Sequence, residues 1–72
     1  MRKRSITLNG HRTSISLEHE FWDALDALAA ADGRSLADLI AEIDARRANE
    51  SPPPGLASSL RIYVLERFRK GA

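Results

Sequence analysis

Residues 11–17 read HRTSISL, and this stretch decides how the rest of the chain is understood. Thr13, Ile15 and Leu17 alternate with Arg12, Ser14 and Ser16. A period of two is the mark of a half-buried strand, with one face toward a core and the other toward water or a ligand. A single strand leaves its backbone N–H and C=O groups unpaired, so HRTSISL needs a partner strand. Two sources are available. The same segment of a second chain can pair with it antiparallel, placing Thr13, Ile15 and Leu17 of both chains inward. Alternatively, Asn9-Gly10 just upstream is a strong signal for a type I′ turn, which would fold Ile6–Leu8 back onto His11–Ser14.

The chain has 72 residues, enough for one small domain. A domain of that size hides only about 60% of its unfolded surface, so external support is expected. With no cysteine, disulfides and thiolate metal sites are excluded. His11 and His19 have no acidic ligand set at metal spacing, and no metal or cofactor is expected. Oligomerisation is the support that remains. No apolar run approaches the roughly 18 residues of a membrane span, and MRKRSITLNG has no apolar core of a secretory signal. The expected location is the cytoplasm.

The net charge of +1 conceals segregation. Arg2, Lys3, Arg4 and Arg12 give residues 1–17 a charge of +4 with no acid. Residues 18–50 carry nine acids against Arg34, Arg46 and Arg47, and residues 51–72 return to +3. A basic N-terminal arm, residues 1–10, on an acidic body points to a polyanionic partner. The acids themselves read as a solvated face.

Downstream, EHEFWDALDALAAADG predicts a helix over about 18–32, with Phe21, Leu25 and Leu28 on one face, widened by Trp22 and Ala29. Gly33 is its natural stop. Ser35 is placed to cap a second helix, about 36–48, with Asp38 at its third position and Leu36, Leu39, Ile40 and Ile43 forming a stripe. The short Asp32-Gly33-Arg34 connection forces the two helices into a sharp turn. Three prolines in ANESPPPG make residues 49–55 a linker. LASSLRIYVLERFRKG predicts a third helix over about 56–70 within a C-terminal segment 56–72, where Leu60, Val64 and Phe68 form one apolar row and Ile62 and Leu65 another. No catalytic constellation of nucleophile and base, paired carboxylates or phosphate-cradling glycines is present, so an enzyme is not expected.

A two-stranded ribbon fits the DNA major groove, where Arg bonds guanine O6 and N7 bidentately and Ser bonds several base edges. At this point the pattern resembles a family. The order of basic arm, alternating strand, helix, GRS turn and second helix closely resembles the ribbon-helix-helix repressors of the Arc/MetJ type, over about Arg12 to Arg47 and most specifically in ADGRSLADLIAEIDAR. With GHRTSISLE, FW, a proline break and SSLRIYVLERFR, the chain also looks like an uncharacterised bacterial subgroup with an added C-terminal helix.

The resemblance implies a mainly α fold in which one short strand pairs across an intertwined homodimer, with a ribbon-helix-helix core at residues 11–48. It implies that Arg12, Ser14 and Ser16 read bases and that Arg34, Ser35 and Leu36, at the start of the second helix, hold a phosphate. A helix N-terminus independently favours phosphate through its free N–H groups and positive dipole end. Arg2, Lys3, Arg4 and His11 are expected to add phosphate contacts. Thr13, Ile15, Leu17, Trp22, Leu25, Leu39 and Ile43 are expected in the dimer core. The function implied is a sequence-specific transcriptional repressor working as paired dimers on DNA in the nucleoid. The alternative is an antitoxin that binds its operator and also a toxin through residues 56–70. Two serines among three readers depart from the sharper Arg, Asn or Gln, which shifts weight to the arm.

Overall fold

The computed structural model describes residues 1–71; Ala72, the last residue of the expected C-terminal segment, lies outside them. Two strands, β1 (Arg2–Leu8) and β2 (His11–Leu17), are followed by α1 (His19–Ala31), α2 (Leu36–Arg47) and α3 (Leu56–Arg69). This is the ribbon-helix-helix order with an added C-terminal helix. The three helices fall within a residue or two of their predicted limits.

The partner of β2 among the described residues is β1 of the same chain. Residues 2–8, read from the sequence as part of a basic arm, are this second strand. Asn9 at φ 53° and Gly10 at φ 82° make the turn between them. Both central residues of a type I′ turn need positive φ, which Gly adopts freely and Asn tolerates best among the others. The register runs from Leu8 opposite His11 through Ser5 opposite Ser14 to Arg2 opposite Leu17.

One face of the hairpin closes the core. Leu8, Ile15 and Leu17 are buried, and Ile6 packs partly against them. Beneath lie Trp22, Leu25, Leu28 and Ala29 of α1, Leu39, Ile40 and Ile43 of α2, and Leu60, Tyr63 and Val64 of α3. The residues expected in a dimer core are therefore already covered inside one chain. Leu17, Trp22, Leu25 and Leu39 have no exposure at all, Ile15 and Ile43 have 4%, and Thr13 is half-buried. Two additions to the minimal core, β1 and α3, supply that cover.

Helix α1 ends as the glycine predicts. Gly33 has φ 68°, its N–H bonds the Ala30 carbonyl, and the Arg34 N–H reaches back to the Ala29 carbonyl at 3.1 Å. These are the two bonds of a Schellman cap, and they set the sharp turn into α2. At the start of α2 the Ser35 hydroxyl accepts from the Asp38 N–H at 3.1 Å, as expected.

Helix α3 buries Leu60, Tyr63 and Val64. Phe68, predicted on the same row, instead stands 57% exposed, beside Ile62 at 53% and Leu65 at 55%. Polar bonds help fix α3 in this rotation. Arg61 grips Glu18 with two bonds of 3.0 and 3.2 Å, and Arg67 grips Asp32 with two of 2.9 and 3.1 Å while also donating to the Tyr63 hydroxyl. Arg47 ties the linker by donating to the Pro54 carbonyl at 2.9 Å.

The Arg61 guanidinium, helped by the backbone N–H of Glu18 itself, holds the Glu18 carboxyl below its ordinary value, and Arg67 does the same to Asp32. A depressed carboxylate adds stability that is complete above the unfolded-state value, near pH 4, and is lost as pH falls through the lower folded value. Thermal melting should therefore give a lower Tm at pH 3 than at pH 5. Asp32→Asn should lower Tm at pH 5 and shrink the difference between the two; an undiminished difference would show that this pair does not contribute.

Candidate nucleic-acid interface

The outward face of the hairpin follows from its register. In an antiparallel pair, directly opposed residues point to the same side of the sheet. Arg12, Ser14 and Ser16 on β2 therefore share a face with Thr7, Ser5 and Lys3 on β1. Five of the six are exposed and Ser16 is half-buried. The face carries two cations, four hydroxyls and no carboxylate. Such a surface offers hydrogen bonds and positive charge to an anion without a large apolar group to desolvate.

The cations of the hairpin divide between the two faces. Arg12, Arg2 and Lys3 donate no side-chain hydrogen bond and make no ion pair among the described residues, whereas Arg4 is held inward. Its guanidinium lies 4.8 Å from the centre of the Trp22 ring and pairs with Asp26 at 3.3 Å. A cation over an indole face gains roughly 0.5–2 kcal/mol. The Trp22 ring N–H donates to the Arg2 carbonyl at 2.8 Å. The end of β1 is thus anchored to α1 by a stack, an ion pair and a hydrogen bond. Of the expected phosphate ligands Arg2, Lys3 and Arg4, only Lys3 stands on the outward face. Arg2 is exposed at the strand's start, and His11 is exposed beside the turn.

The start of α2 has a different character. Ser35 is exposed and Leu36 half-buried, and the hydroxyl of Ser35 is already accepting from Asp38. Arg34 is gripped by Glu42 at 2.6 Å and lies 3.7 Å from Asp32. Its hydrogen bond to Glu42 raises the guanidinium pKa and, reciprocally, holds the Glu42 carboxyl below its ordinary value. Arg46 shares the same carboxylate at 2.9 Å. At this helix end the charge of Arg34 is locally neutralised, and the groups left for an anion are the first-turn N–H groups and Ser35.

Sequence reasoning missed Ser5 and Thr7, which it had left in a charged arm. The signal was present: Lys3, Ser5 and Thr7 alternate with Arg4, Ile6 and Leu8, in mirror order about Asn9-Gly10. It also read the acids of residues 18–50 as a solvated face, although Glu18, Asp26, Asp32, Glu42 and Asp44 each hold an arginine. Among the described residues no group of three or more His, Cys, Asp or Glu is placed to hold a metal ion. No described helix is long and apolar enough to cross a membrane.

Comparison with curated proteins and with solved structures gives no match. Comparison with protein families does. The sequence profile of the ribbon-helix-helix domain matches residues 1–68, a span that takes in β1 and nearly all of α3 as well as the core. The fold is a DNA-binding, non-enzymatic one, and its proteins typically dimerise. The chain belongs to the ribbon-helix-helix domain family of DNA-binding regulators.

Proposed function

We propose that the protein is a sequence-specific DNA-binding transcriptional regulator, a repressor that acts as a homodimer at the nucleoid in the cytoplasm. The observation that carries this reading is the outward face of the hairpin, on which Arg12, Ser14 and Ser16 stand beside Lys3, Ser5 and Thr7 with no acid among them. A two-stranded ribbon is of a size to enter the major groove, and the other face of this one is fixed to a rigid core. Arg12 is the base reader of greatest discrimination, because its fork matches guanine O6 and N7. Ser14 and Ser16 bond base edges with less selectivity. Lys3, Arg2 and His11, with Ser35 and the first-turn N–H groups of α2, hold phosphates and set the register.

A second reading, an antitoxin, draws on one observation: Ile62, Leu65 and Phe68 leave α3 with an exposed apolar stripe able to meet a protein. Against it, α3 is already seated through Leu60, Tyr63 and Val64, unlike a tail that orders only on a toxin. Slow amide exchange across 56–69 in the free protein is expected from the repressor reading. Rapid exchange there, with protection gained on adding the product of a neighbouring toxic gene, would favour the antitoxin.

A genome-wide pull-down of bound DNA supplies the operator for two further measurements. Arg12→Ala should reduce the preference for operator over random DNA by about 1–3 kcal/mol. An unchanged ratio in competition binding would remove Arg12 from the readers. Lys3→Ala should weaken binding to operator and random DNA alike, and should flatten the slope of log K against log salt by about 0.9 for each phosphate that Lys3 neutralises. A slope identical to that of the wild type would mean Lys3 touches no phosphate.

A further inference from the structure

We infer that the exposed apolar stripe of α3 docks on the outward face of α1 of a second copy of the chain, with Leu65 seated on Ala27 and Arg69 beside Asp23. The contact adds to the dimerisation typical of the family and does not depend on how the strands pair.

Helical spacing assembles both surfaces. On α3, Ile62, Leu65 and Arg69 are separated by three and then four residues, so they share one face, and Phe68 borders it. All four are exposed. On α1, Glu20, Asp23, Ala27, Ala30 and Ala31 follow the same spacing and are exposed as well. The α3 face is bulky and apolar, with a cation at its C-terminal end. The α1 face is small and apolar, with acids at its N-terminal end.

The two faces match when the helices run antiparallel. Arg69 to Ile62 and Asp23 to Ala30 each span seven residues, about 10 Å of helix. With Leu65 opposite Ala27, Arg69 comes level with Asp23, and Ile62 with Ala30 and Ala31. Alanine lets the axes approach to the short end of the usual range, roughly 8–10 Å, so the bulky side chains of α3 fill the gap. Among the described residues Asp23 and Arg69 make no ion pair, and Glu20 approaches only the exposed His19, at 3.3 Å. The positive end of the α1 dipole also meets the negative end of the α3 dipole.

The α1 in question belongs to another copy. Within one chain α1 and α3 are joined through their opposite sides, where Trp22, Leu25 and Leu28 meet the same core as Leu60 and Val64. Every copy carries both halves of the contact, so it forms twice about a two-fold axis or repeats along a row of copies. Three half-exposed large side chains against three alanines fall short of the roughly 1,200 Å² of a standard interface. The contact therefore reinforces copies that are held together elsewhere.

Engineered thiols test the pairing, because the chain has no cysteine of its own. Leu65→Cys chains are mixed with Ala27→Cys chains that carry a tag separating them by size, and the mixture is oxidised without DNA. The covalent product expected is one chain of each kind. Leu65→Cys chains joined to one another would overturn the inference in favour of α3 packing on α3. No covalent product would overturn it as well, leaving the stripe to a foreign protein.

Charge exchange gives a second measurement. In sedimentation, Asp23→Arg and Arg69→Asp should each raise the concentration at which the assembly half dissociates, about fivefold or more. The double variant Asp23→Arg/Arg69→Asp should return it toward the wild-type value. A double variant as weak as the sum of the two single changes, with Tm equal to that of the wild type, would show that the two charges never meet.

Discussion

The left-handed backbone at Asn9 and Gly10 is the constraint on which the remaining structure depends. Two consecutive residues at positive φ turn the chain tightly enough for Leu8 to face His11, and every later pairing follows from that one. A free hairpin is marginal in water, so the turn proposes the register and the core stabilises it. Trp22 is the point where the two meet. Its ring is sealed in the core, its N–H binds the backbone of β1, and its face receives Arg4. Replacing a buried Trp by Ala typically costs about 3–5 kcal/mol. Here the loss would also loosen the first strand, because two of its three anchors to α1, the hydrogen bond and the stack, use the same side chain.

Charge is distributed by the same logic. The acidic middle of the chain is used largely for docking. Glu18 and Asp32 hold α3 through Arg61 and Arg67, and Asp26 holds β1 through Arg4. Glu42 holds Arg34 and Arg46 along α2. Exposed single ion pairs contribute little, commonly under 1 kcal/mol, but bidentate pairs between elements distant in sequence fix orientation. Their consequence for function is subtraction. Once these arginines are paired, the hairpin cations without a partner among the described residues are Arg2, Lys3 and Arg12, and the last two give the polar face its positive sign.

Much of this was legible in the sequence, and the exceptions have physical causes. The alternation of Thr13, Ile15 and Leu17 gave β2, the Gly33 stop and Ser35 cap gave the α1–α2 turn, and the stripes gave the helices. The added strand was harder to read because lysine and arginine at alternate positions look like a disordered arm until their partner strand is known. Arg4 in particular has no sequence mark of its stacking on Trp22, which lies 18 positions away. The rotation of α3 was hidden for a related reason. Leu60, Val64 and Phe68 share one helical row, but Arg61 and Arg67 reach Glu18 and Asp32 only if the helix turns so that Tyr63 goes inward and Phe68 outward. Arg34 could be placed at the start of α2, but its capture by Glu42 depends on a side-chain choice that spacing does not fix.

Because side chains alternate along a strand, the stability of the hairpin and the composition of its polar face are a single property. A slip of one residue in β1 would send Ile6 and Leu8 to the outward face and Lys3, Ser5 and Thr7 into the core. Three groups of contacts oppose that slip: the turn at one end, the Trp22 bond to Arg2 at the other, and Arg4 between them. A polar surface made of short side chains depends on such fixity more than one made of long ones. Serine and threonine hydroxyls reach only a short distance from the backbone, so a displacement of an ångström that an arginine could absorb would break their contacts. The rigid seating of β1 and β2 on the helices is what allows four hydroxyls to form a defined surface, with Arg12 and Lys3 as its two long arms.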